Sequence, residues 1–77
     1  MILHFSSNEY ISLESVFERI HVAEPAELWD IAEVLEVRFR ECFPDSEFRF
    51  LGLPKTREQQ IEYLEQIIKL LRNHDEL

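Results

Sequence analysis

The chain has 77 residues but only one glycine and one cysteine. A glycine-rich loop that cradles phosphate through successive backbone N–H groups needs several small residues, so Gly52 alone excludes one. Cys42 alone excludes an intramolecular disulfide. It falls on a helical apolar stripe and reads as a small core side chain, in keeping with a reducing, cytoplasmic compartment. Basic residues are scarce in the first half: residues 1–37 hold eight acids and a single base, Arg19, whereas residues 38–77 hold eight acids and seven bases. No apolar run approaches the roughly 20 residues a membrane-spanning helix needs. The opening MILHFSSNEY lacks a positive segment followed by a long apolar stretch, so it does not read as a signal peptide. The expectation is one small acidic domain over residues 1–77, cytoplasmic and without a membrane partner.

What is present is a foldable pattern. Apolar side chains make up 45% of the sequence, which argues against disorder despite a formal net charge of −8. The stretch Glu24–Phe43 organises the rest. Pro25 suits a first helical position, where its missing N–H has no partner in any case. Glu27 places negative charge in the first turn. Pro44 pushes Phe43 out of the helical region and ends the helix. Leu28, Ile31, Ala32, Leu35, Phe39 and Cys42 recur at i, i+3, i+4, i+7 spacing and form a core stripe. The opposite face carries Asp30, Glu33, Val34, Val37 and Glu41, with Trp29 and Glu36 on a flank.

On either side of that helix the sequence predicts short strands and two more helices. Met1–Phe5 reads as a strand and Ser6-Ser7-Asn8 as a turn. Glu9–Leu13 is either a strand pairing back as a hairpin or the lead into a helix capped by Ser12. Leu13, Val16, Phe17 and Ile20 then predict a helix over about Leu13–His21. After the Pro44-Asp45-Ser46 turn, Glu47–Leu51 alternates Phe48 and Phe50 against Arg49 as a second strand, expected to pair with Met1–Phe5. Thr56 at the N-cap and Gln59 three residues on match a capping box and start a last helix that runs to about Asn73. Ile61, Leu64, Ile68 and Leu71 form its main stripe, widened by Tyr63, Ile67 and Leu70. The fold class is therefore α+β and helix-dominated: a short β-strand, a helix pair, a second short strand and a long C-terminal helix.

Residues that carry chemistry are few. His4, His21 and His74 are far apart and form no metal-ligand spacing with one another or with Cys42. Asp45 and Glu47 are two carboxylates on a turn, better explained by capping or ion pairing than by a divalent ion. Glu27, Asp30 and Glu33 are neighbours on one helix rather than an opposed acid/base pair across a cleft. Arg38, Arg40, Arg49, Lys55 and Arg57 interleave with Phe39, Phe48 and Phe50, a pattern seen in single-strand nucleic-acid binding. The phenylalanines are better used in a core, and Glu41, Asp45 and Glu47 are at hand to pair with the arginines. Neither an enzyme nor a cofactor is expected.

Residues 10–20, YISLESVFERI, resemble the opening of winged helix-turn-helix domains of the excisionase type. The resemblance covers one short helix and implies that the helix after it reads DNA. In this chain that helix carries Glu27, Asp30, Glu33 and Glu36, which repel phosphates. The leading functional expectation is thus a non-enzymatic binding protein that docks on a basic surface of a protein partner. That surface could be one that handles nucleic acid, as for an immunity protein, an antitoxin or a phage-encoded inhibitor; no direct contact with nucleic acid is expected. Glu27, Asp30, Glu33 and Glu36 would steer association while Trp29, Val34 and Val37 make contact. Two alternatives stand beside it. One is a homodimer or higher oligomer built through Tyr63, Ile67 and Leu70 of the last helix, as an adaptor or structural module. The other is a small winged-helix DNA-binding protein.

Overall fold

The computed structural model describes residues 1–5, 7–47 and 52–75. Two short strands, β1 (Ile2–His4) and β2 (Tyr10–Ser12), lead into three helices: α1 (Leu13–Arg19), α2 (Pro25–Cys42) and α3 (Arg57–Asp75). The helix-dominated α+β class is therefore the observed one.

The hairpin resolves the ambiguity at residues 9–13. β1 and β2 are antiparallel, with Ile2 opposite Ser12 and His4 opposite Tyr10. Asn8 takes φ +66°, a left-handed conformation that asparagine tolerates better than most residues. Its N–H bonds the Phe5 carbonyl at 2.9 Å, and the Phe5 N–H bonds the Glu9 carbonyl at 2.9 Å, closing the turn. Ser12 then does two jobs. It ends β2, and its Oγ accepts from the Ser15 N–H at 3.2 Å as the N-cap of α1. Strand end and helix cap thus meet in one residue. The partner of β1 among the described residues is β2. The expected partner strand at Glu47–Leu51 lies outside them except for Glu47, which is in no regular element.

α2 starts at Pro25 and ends where Pro44 forces it to, with Phe43 turned to φ −128°, ψ 65°. Glu24 occupies the N-cap without making a side-chain cap bond. The Pro44-Asp45-Ser46 turn forms as expected, the Ser46 N–H bonding the Phe43 carbonyl at 3.1 Å. Thr56 caps α3 through the Gln59 N–H at 3.2 Å.

The elements close a ring around one core. Leu3 and Phe5 enter from the hairpin. Leu13, Val16 and Ile20 come from α1 and the turn that ends it. Leu28, Ile31, Ala32, Leu35 and Phe39 come from α2, and Leu64, Ile67, Ile68 and Leu71 from α3. Side-by-side contacts fix the directions. Phe17 lies under the Arg72 guanidinium and His21 meets Glu65, so α1 and α3 are antiparallel. Trp29 near the start of α2 lies beside Gly52, just before α3, and Phe43 at its end touches His74 near the end of α3, so α2 and α3 run in the same sense. The α-amino group of Met1 lies 2.8 Å from Asp75 Oδ2, and it holds that carboxyl below the usual range. Among the described residues no helix is long and apolar enough to cross a membrane.

Candidate functional site: the outward face of the central helix

The core stripe of α2 leaves the other half of its circumference to solvent. Asp30, Glu33 and Glu41 are exposed, Val37 is 59% exposed, and Val34 is half-buried. The sequence-predicted contact residues do not form one disc. Trp29 and Val34 are five positions apart, which at 3.6 residues per turn puts them roughly 140° apart around the helix. Trp29, 47% exposed, leans towards the turn at Gly52: a Cβ on that glycine would stand 3.7 Å from the indole Cη2. Gly52 has φ +94°, a conformation that glycine adopts freely. Val34 and Val37 turn the other way, towards the hairpin.

Between β1 and α2 runs a groove of about 370 Å³ lined by Leu3, His4, Glu33, Val34, Val37, Arg38 and Glu41. The hairpin register explains its wall. The ladder bonds fall on odd positions, with Leu13 N–H to the Met1 carbonyl and Phe5 N–H to the Glu9 carbonyl. Ile2 and His4 therefore direct their backbone groups away from β2. Arg38 crosses the groove at one end, donating from Nη2 to the Ile2 carbonyl at 3.0 Å and from Nη1 to Glu41 at 3.4 Å.

The four acids expected to steer a partner fall into two groups. Glu27 and Glu36 are already engaged. Glu27 lies 3.3 Å from Arg19 Nε, and Glu9 of the hairpin turn lies 3.8 Å from the same guanidinium. Glu36 pairs with Arg40 at 2.8 Å and is largely covered. Asp30 and Glu33 are exposed and make no ion pair with a described basic residue. Asp30 shares a second hollow, of about 230 Å³, with Phe5, Ser7, Glu9, Arg19 and Glu27. From the hairpin turn to the end of the groove, Glu9, Glu27, Asp30, Glu33 and Glu41 face Arg19 and Arg38. Glu14 and Glu18 belong to the exposed side of α1, so the early acids do not fold into one unbroken patch.

The last helix presents less than its sequence suggested. Ile67, expected on the self-association flank with Tyr63 and Leu70, is 2% exposed and belongs to the core. Leu70 is 47% exposed. Tyr63 is half-buried, and its phenol is raised above the usual value by burial and then by the Glu36 charge.

The remaining titratable side chains are dispersed. His4 stacks on Tyr10 with ring centres 4.5 Å apart, His74 meets Phe43 edge-on, and His21 sits between the Phe17 carbonyl and Glu65. Among the described residues no three His, Cys, Asp or Glu side chains converge at metal-binding range. Most of the described arginines meet oxygen atoms, but Arg72 lies over the Phe17 ring and its buried Nε has no hydrogen-bond partner among the described residues. Arg57 donates to the carbonyls of Ala23 at 2.7 Å and His21 at 3.2 Å, while Arg38 and Arg40 meet the acids already named. Arg49, Phe48 and Phe50 lie outside the described residues.

Sequence reasoning missed the hairpin's share of this face: Leu3, His4, Glu9 and the bond from Arg38 to Ile2. The alternation of Met1–Phe5 was its one available signal. Comparison with protein-family models, with curated proteins and with solved structures finds no match to this chain.

Proposed function

We propose that this chain is a small acidic, non-enzymatic binding protein of the cytoplasm. It docks the outward face of α2 on a basic surface of another protein and so inhibits or masks that surface. One observation carries the reading: exposed Val37 and half-buried Val34 lie beside Asp30 and Glu33, carboxylates with no ion-pair partner among the described residues. An apolar centre with a charged rim is the anatomy of a protein interface, and unpaired rim charge sets the rate of encounter. Binding of nucleic acid by the same face is disfavoured by like charge. A site on the partner that ordinarily holds nucleic acid has the complementary sign, which is the basis for an immunity-protein, antitoxin or phage-inhibitor role.

The test is affinity capture from the cell that makes the protein, with the Asp30→Lys/Glu33→Lys variant run in parallel. Both positions are exposed, so the variant should fold. The expected partner is retained by the native chain, elutes as salt rises, and is absent from the variant. A partner held equally by both chains, at low and at high salt, removes the proposal.

A second reading is favoured by the exposure of Leu70. It is a homo-oligomeric module built through α3, with Tyr63 beside Leu70 and without Ile67. Sedimentation at micromolar concentration separates the two, since a strict monomer eliminates the oligomer.

A further inference from the structure

The groove between β1 and α2 combines three properties that the charged face alone does not. It has an apolar lining from Leu3, Val34 and Val37. Among its described lining residues it has the carboxylates of Glu33, which is unpaired there, and Glu41, which meets the guanidinium of Arg38. Its wall is a strand whose outer edge meets no strand among the described residues. Arg38 occupies the Ile2 carbonyl, and no described group bonds the N–H or C=O of His4 on that side.

We propose that this groove receives an extended, arginine- or lysine-bearing segment of the partner, which adds alongside β1 through the backbone of His4. Strand addition takes its affinity from main-chain bonds and its specificity from alternate side chains. Successive residues of the incoming strand point to opposite sides. One set of side chains therefore faces α2. A long cationic side chain there lays its methylene stem on Val34 and Val37 and brings its head to Glu33 and Glu41. At about 370 Å³ the groove has room for such a side chain. The inference rests on the acidic-face reading above and adds the form of the ligand.

The probe is a capped hexapeptide alternating arginine and valine, followed by amide NMR on the full chain at low salt. The expected result is shift changes centred on Leu3, His4, Val34 and Val37, with slowed exchange of the His4 amide. Replacing each arginine by citrulline keeps the shape and removes the charge, and should weaken binding about tenfold or more. Val34→Arg, which fills the groove from within, should weaken it comparably. Val37→Arg at a more exposed position serves should the first variant fail to fold. Shifts spread over Asp30, Glu27 and Glu14, indifferent to Val34→Arg and Val37→Arg, would overturn the groove while leaving the charged face standing. Equal affinity for the citrulline peptide, or no binding at all, also overturns it. The parent reading is decided separately, by capture with the Asp30→Lys/Glu33→Lys pair.

Discussion

The seam between α1 and α3 is closed where the seam between β1 and α2 is open. Across the first, Arg57 at the start of α3 reaches back to the carbonyls of His21 and Ala23, His21 meets Glu65 at 2.9 Å, and Arg72 lies 5.7 Å over the Phe17 ring. Each tie joins residues more than thirty positions apart, and the Arg57 bonds satisfy carbonyls of the α1–α2 link that would otherwise be left to water. Across the second, among the described residues, one side-chain bond, from Arg38 to Ile2, spans a groove. The same short chain thus concentrates specific polar ties on one side and leaves valines and carboxylates on the other. Stability belongs to the first seam and availability to the second.

Two core and surface truncations break that contrast most sharply. Ile68, fully buried in α3, should cost about 2–5 kcal/mol as Ile68→Ala, which a domain this small can scarcely tolerate. Val37→Ala on the open side should stay within about 0.5 kcal/mol. Urea unfolding followed by circular dichroism reads both. A Val37→Ala loss as large as that of Ile68→Ala would mean that the outward face of α2 is covered in the folded chain.

The ties come next. Arg57→Ala removes two charge-assisted bonds to carbonyls and should cost about 1–3 kcal/mol. Arg40→Ala removes an i,i+4 pair whose arginine is mostly exposed and whose Glu36 is largely covered, and should cost no more than about 1 kcal/mol. The ratio of the two losses is the informative quantity, because both substitutions remove the same side chain. Equal losses would show that the Arg57 bonds hold the α1–α3 seam no more firmly than a surface pair holds a helix.

How far the sequence disclosed this arrangement depends on the range of the interaction. Local signals worked. The i, i+3, i+4 spacing from Leu28 to Phe39 placed the core stripe, Pro25 and Pro44 bounded α2, and Thr56 opened α3, because each depends on residues within one or two turns. Burial on α3 was legible for Leu64, Ile68 and Leu71 and misread for Ile67. An apolar arc that wide has no internal mark separating core from surface. Long-range pairings were illegible: nothing near Arg38 announces the Ile2 carbonyl, and nothing near Arg57 announces Ala23. The charge asymmetry was legible as a count but not as a field. Arg19, the only early base, folds between Glu9 and Glu27 and offsets their charge, leaving Asp30 and Glu33 without an ion pair among the described residues.

The smallest expected effect sharpens the comparison from inside the α2–α3 contact. The Tyr63 phenol is raised above its usual value, first by burial and second by the Glu36 carboxylate. A raised value in the fold means that the neutral phenol is the form the fold favours. Its contribution to stability is complete below the ordinary phenol range near pH ~10 and is lost as pH rises through the folded value. In a Tyr10→Phe background the phenolate absorbance reports Tyr63 alone, and its midpoint should lie above that of the same chain in denaturant. Glu36→Gln removes only the lesser cause, so the midpoint should fall part of the way back. A midpoint unmoved by Glu36→Gln would place Glu36 and Tyr63 apart.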